Sequence, residues 1–220
     1  MVSEGVRKYQ DKIVDGDIKM PDLKDLNAWR AVLYLHKLVG QDKDRYSGYG
    51  YGNLSMRLEK NSPPKNERSF VITGSQTGNL EHLTEDNYAI VLEYYPEKNL
   101  ILTQKGKAIA SSESMTHGMV YDLSDDARFV FHVHSPEIWL YRGELKIPST
   151  DKKVEYGTPE MAEEVKRIYP EFMNKNIFAM DGHEDGIVSF GETAIKAGFV
   201  ILDYLQKAKQ LDRFLQKIQD

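Results

Sequence analysis

Cysteine is absent from all 220 residues. A disulfide framework is thereby excluded, and any metal site has to be assembled from His, Asp or Glu. Long apolar runs are missing as well. None approaches the ~20 residues of a membrane-spanning helix, and the opening MVSEGVRKYQDK has no apolar core of the kind a secretory leader carries. Lys and Arg are scattered, never more than two in succession, and the formal net charge is −5, so no basic run is present that would track a nucleic-acid backbone. Small anions stay possible as partners, because they need local donors and not net charge. The expectation is a cytosolic protein with neither a nucleic-acid nor a membrane partner.

What is present is the composition of a folded chain, 40% hydrophobic and 29% charged, too apolar and too mixed in sign for disorder. The length suffices for one full-sized core and no block is compositionally foreign, so residues 1–220 are expected to form one domain. No internal repeat or low-complexity stretch interrupts it.

Apolar spacing predicts an amphipathic helix over 22–39 ending at Gly40, then the glycine-rich turn SGYGYGN and the strand LSMRL. The turn NSPPKNE leads to the strand SFVIT. YAIVLEYY and NLILTQ, split by PEK, read as a hairpin. Ser112 is placed to cap a helix from Glu113 to about Leu123, and FVFHVH follows as a strand. A helix opening with Thr-Pro covers 158–169. NIFAM and GIVSF are strands divided by DGHEDG, and 192–219 forms one long helix whose distal end, LDRFLQKI, is amphipathic enough to pack on something. Short hairpin strands interleaved with helices predict an α/β fold, a layered architecture whose largely antiparallel central sheet carries helices on its faces.

Chemistry concentrates in a few places. On a strand, residues i and i+2 point to one face, so His132 and His134 bring two imidazoles together as ligands for one ion. A hydrogen-bonded pair is the alternative for such a motif on its own. His183 lies in a glycine-flanked turn from which its ring can reach a neighbouring strand end. Three neutral imidazoles leave the open fourth position of a catalytic zinc site, with Glu184 and Asp185 placed to orient a ring.

Ser111-Ser112-Glu113 stands where a loop enters a helix, bringing hydroxyls and free N–H groups together as in a phosphate cradle. The same string also reads as a plain helix cap. His117, at i+4 from Glu113, is placed to hydrogen-bond it or to pack. Gly52-Asn53-Leu54-Ser55 and Thr73-Gly74-Ser75 put small polar residues at strand ends beside glycine, as ligand-approaching turns and ordinary turns both do.

GNLSMR, FVITGS, SSESMTHGMVY, FHVHS and GHEDGIVSFGET follow one another in the order of the class II aldolase and adducin head-domain family. From about residue 25 to about 205 the chain resembles that family. The resemblance implies a divalent ion, zinc, on His132, His134 and His183, with Glu113 as the catalytic acid or base. It implies a substrate phosphate on Asn53, Thr73, Gly74, Ser111 and Ser112. In the aldolase members the ion polarises the oxygens of a phosphorylated sugar while the acidic residue moves a proton at carbon. The family also implies a homotetramer. Glu113 favours a lyase, since the pentulose phosphate epimerase members carry Asp there.

The stretch between His134 and His183 is shorter than in the sugar phosphate aldolases. No residue matches the tyrosine that protonates the departing aldehyde there, although Tyr141 and Tyr156 lie in the region. A methylthioribulose phosphate dehydratase-like activity and a non-catalytic adducin-like binding module are the alternatives. Retention of three imidazoles and an acid argues against the second.

Overall fold

The computed structural model describes residues 8–58, 64–65 and 67–219. Most of the turn expected at 61–67 falls outside them. Strand-forming segments rich in Val, Ile, Phe and Tyr assemble into one eight-stranded sheet. In chain order the strands are β1 (Gln10–Val14), the short pair β2 (Gly40–Gln41) and β3 (Gly50–Tyr51), β4 (Asn53–Arg57), β5 (Phe70–Thr73), β6 (Tyr88–Tyr95) and β7 (Leu100–Gln104). Then follow β8 (Phe129–His134), β9 (Ile177–Ala179) and β10 (Gly186–Gly191). The large sheet runs β1-β7-β6-β5-β4-β8-β10-β9, and β2 and β3 pair apart from it. Every pairing in the large sheet is antiparallel except β1 with β7.

Five helices cover it: α1 (Lys24–Leu35), α2 (Ser114–Leu123), α3 (Pro136–Leu140), α4 (Pro159–Phe172) and α5 (Ala194–Gln219). Helices α2 and α4 bury Met115, Val120, Met161, Val165 and Phe172 against one face. Helices α1, α3 and α5 bury Leu26, Leu33, Ile138, Ala197 and Ile201 against the other. Each fully buried side chain of this size contributes about 1.5–3 kcal/mol, so the two apolar faces of the sheet fix the three layers. The α/β layered architecture expected from the sequence is the one found.

Several local expectations are corrected. Helix α1 stops at Leu35 and not near Gly40, because Lys37 turns left-handed (φ 56). Lys37 N–H then donates to Tyr34 O at 2.9 Å and Leu38 N–H to Leu33 O at 2.9 Å, closing the helix in the Schellman manner with a lysine where glycine is usual. Ser112 does not cap α2. Glu113 occupies the cap position without a side-chain cap bond, and Ser114 N–H and Oγ both donate to Ser111 O. The edge strand β1 and the short helix α3 carry too few residues to show a period. Among the described residues no helix is long and apolar enough to cross a membrane.

Candidate metal centre and anion cleft

Alternation along β8 sends Phe129, Phe131 and Val133 to one face of the sheet, with α1 and α5, and Val130 to the other, with α2 and α4. His132 and His134 share the face of Val130. The register sets Asn53 of β4 and Val188 of β10 on either side of His132, and Gly186 beside His134. Asn53 and His132 are therefore same-face neighbours across a ladder.

His183 arrives from the turn between β9 and β10. Met180 O accepts from His183 N–H at 2.9 Å, and His183 O accepts from Gly186 N–H at 2.9 Å, which folds the turn back over the strand ends. Gly182 makes that fold possible: a Cβ there would stand 1.9 Å from Val154 O, so any side chain would push the turn outward.

The three imidazoles converge. Their candidate ligand atoms all lie within 4.8 Å of one another, and all three residues are buried. Nε2 of His132 is 3.1 Å from Nε2 of His134. Glu113, at the entry of α2, brings Oε1 to 3.2 Å from Nε2 of both His132 and His183, while Asn53 Nδ2 donates to its Oε2. Ligands about 2.0–2.1 Å from a tetrahedral ion are spaced by roughly 3.3–3.4 Å, close to the 3.1 Å and 3.2 Å separations above, and the three imidazoles are grouped tightly enough to hold one small cation. Burial lowers the pKa of His132, His134 and His183 below the ordinary imidazole value, and the neighbouring imidazoles lower the last two further. Glu113 works against burial at His132. The neutral ring, the form that ligates metal, is the one held in place.

A shell of aromatic and charged groups surrounds the imidazoles. Tyr156, 1% exposed, packs its ring 4.1 Å from that of His183, and the Lys8 ammonium lies 3.9 Å from the centroid of the same tyrosine ring. Tyr141 points elsewhere, its hydroxyl donating to Asp212 of α5 at 2.6 Å. Asp185 does not orient an imidazole directly; it accepts from Tyr46, whose ring meets His134 edge-on. His117 meets Glu113 only through its backbone N–H, which donates to Glu113 O at 3.1 Å, and its ring places Nδ1 2.7 Å from Ser55 Oγ, which also stands 2.7 Å from Tyr121 OH.

Beside the imidazoles lies a cleft lined by Asn53, Gly74, Ser111, Ser112 and Glu113, all singled out from sequence, and by Ser75–Gly78. Thr73 sits one step behind it, its Oγ1 accepting from Leu54 N–H at 3.1 Å and so joining the ends of β4 and β5. The contribution of Gln76, Thr77 and Gly78 was hidden because TGSQTGN reads as an ordinary turn. Tyr46 was hidden for the same reason, inside a glycine-rich string.

A family model described as Class II Aldolase and Adducin N-terminal domain matches residues 32–211. The chain belongs to this family. Among solved structures, an L-fuculose-1-phosphate aldolase from Thermus thermophilus superposes with a TM-score of 0.62 at 20% identity, covering 88% of this chain and 95% of that one. A sugar-phosphate aldolase from Thermotoga maritima gives 0.64 at 16% identity, covering 88% and 94%. Another L-fuculose 1-phosphate aldolase gives 0.66 at 15%, covering 92% and 90%. Identities this low show a shared class II aldolase fold. Among curated protein sequences no match is found. The matched range encloses every residue of the cleft and of the imidazole cluster.

Proposed function

We propose that the chain is a zinc-dependent aldehyde-lyase that breaks or forms a carbon–carbon bond in a phosphorylated sugar. The observation that carries this reading is the Glu113 carboxylate standing 3.2 Å from two of three converging imidazoles, at the mouth of a cleft made of hydroxyls and loop backbone.

His132, His134 and His183 would hold the ion, which supplies polarisation of the substrate carbonyl. Glu113, whose Oε2 accepts from Asn53 Nδ2, would move a proton at the neighbouring carbon. In the cleavage direction the carbinol hydroxyl gives its proton to the Glu113 carboxylate, the bond from that carbon to the adjacent carbinol breaks, the carbinol leaves as an aldehyde, and the electron pair stays behind. Glu113 then delivers a proton to the carbon that kept it. The phosphate would sit against Ser111, Ser112, Asn53 and Gly74, with Thr73 bracing the strand ends and holding no charge of its own. Such an enzyme fits a cytosolic homotetramer of one-domain chains, as the family resemblance implies.

Metal analysis of protein purified without chelator, followed by a screen of ketose phosphates with and without the ion, tests the reading. The expected result is about one zinc per chain and a metal-dependent release of aldehyde. Release of water with the carbon skeleton intact would convert the assignment to a dehydratase, and full zinc content without turnover of any sugar phosphate would favour a binding module. Undiminished metal content in a His132→Ala, His134→Ala double variant would overturn the centre itself.

A further inference from the structure

Arg30 interrupts an apolar stripe. In α1 it lies between Leu26 and Leu33 on the buried face, itself only 4% exposed. A guanidinium taken out of water must find acceptors for its donors. Arg30 finds them on one short loop. Its Nη2 donates to Thr77 O at 3.1 Å and Leu80 O at 2.6 Å, and its Nη1 donates to Glu81 O at 2.9 Å. The Tyr34 ring lies 5.3 Å away. Burial lowers the pKa while Tyr88 and Tyr34 act to raise it, and an arginine stays charged under such a load.

The loop that Arg30 grips is the one that lines the anion cleft through Ser75–Gly78. Of its lining residues Thr77 turns its carbonyl to Arg30, as Leu80 and Glu81 do just beyond, and the N–H groups of Gln76, Thr77 and Gly78 make no backbone hydrogen bond among the described residues. The opposite side of the loop is seated just as firmly. A Cβ on Gly78 would stand 2.2 Å from Gly40 O and 2.7 Å from Gly50 Cα, so the loop is wedged between the β2–β3 pair and the arginine. Among the described residues no Lys or Arg side chain lines the cleft. Arg30, bound to the carbonyl of the lining residue Thr77, stands one residue layer behind it.

We propose that Arg30 is the positioning residue of the anion cleft. By holding three carbonyls on the far side of the loop it keeps the loop N–H groups free for a phosphate oxygen, and its buried charge favours the anion from behind. The proposal rests on the reading of the cleft as a phosphate site, and its test separates the two.

The zinc-loaded chain of 220 residues is titrated with inorganic phosphate by calorimetry, with metal content measured in parallel. Arg30→Met is expected to weaken phosphate binding by about tenfold or more while zinc content stays unchanged. Arg30→Lys keeps the charge but grips one carbonyl at a time, and should fall between that variant and the parent. A role confined to stability would lower the melting temperature and leave the phosphate affinity of the folded protein intact. Folded Arg30→Met that binds phosphate within about twofold of the parent overturns the proposal. If that variant does not fold, Arg30→Lys within about twofold does the same. Phosphate binding that ignores a Ser111→Ala, Ser112→Ala double change overturns the cleft reading and this inference together, whereas sensitivity to the serines alone overturns only the role of Arg30.

Discussion

The Tyr46 hydroxyl donates a 2.6 Å hydrogen bond to the Asp185 carboxylate, 139 residues along the chain, and so ties the turn that carries His183 to a ring meeting His134 edge-on at 4.6 Å. Arg45 donates to the same phenol oxygen at 2.6 Å. Tyr46 and Ser47 both hold left-handed backbone, with φ of 48 and 57, a conformation that costs non-glycine residues energy and survives only where the surroundings enforce it. Here the enforcement is the tie to Asp185.

Removing that tie should loosen a ligand without touching it. Tyr46→Phe keeps the ring and loses the donor, and is expected to weaken zinc affinity by roughly 10-fold, within the range found for groups that orient ligands. Chelator competition measures it. Affinity equal to that of the parent would show that packing alone holds His134.

Glu113→Gln keeps the shape of the side chain and removes its basic oxygen. Turnover of a responsive sugar phosphate should fall by roughly 100-fold or more with zinc retained on the three imidazoles. Were Glu113 only a helix-entry carboxylate, the same change would cost about 0.5 kcal/mol of stability and leave turnover alone. Initial rates with metal content checked alongside separate the two outcomes.

Acid should destabilise the metal-free chain. His117, His132, His134 and His183 are buried, and burial holds each pKa below the ordinary value, which is about 6.5 in an unfolded chain. Between the folded and unfolded pKa values the unfolded chain binds more protons, so the free energy of unfolding rises with pH there. Stability is complete above about 6.5 and is lost as pH falls below it. Denaturant midpoints in chelator from neutral to mildly acidic pH should decline steadily, and a flat profile would refute the argument.

Gly78→Ala should damage the cleft from the other side. The added methyl meets backbone on both neighbours, at 2.2 Å and 2.7 Å, and backbone cannot swing away as a flexible side chain can. A loss of about 2 kcal/mol is expected, together with weakened phosphate binding. Thermal unfolding and the phosphate titration read the two effects independently.

Much of this was legible from residues alone. His132 and His134 declared a shared face through strand periodicity, and Ser111 through Glu113 declared a loop entering a helix. Which residue those groups would meet was a matter of register. Nothing local says that Asn53 falls opposite His132, that Glu113 turns to the imidazoles instead of His117, or that Tyr156 packs under His183. Arg30 did leave a trace, as a charge at a position where the helical period of Leu26 and Leu33 calls for an apolar side chain. Its partners, about fifty residues away on a turn of ordinary composition, left none.

The parallel edge strand has a consequence for how the chain comes off the ribosome. Lys8 O accepts from Asn99 Nδ2 across 91 residues, and β1 has β7 as its sheet partner. Strand β1 thus has no partner in the sheet until β7 has emerged, and Lys8 reaches the Tyr156 ring only after later residues still have followed. Early segments of the chain therefore have no finished place to go, and the side of the centre around His183 closes only once most of the polypeptide is available.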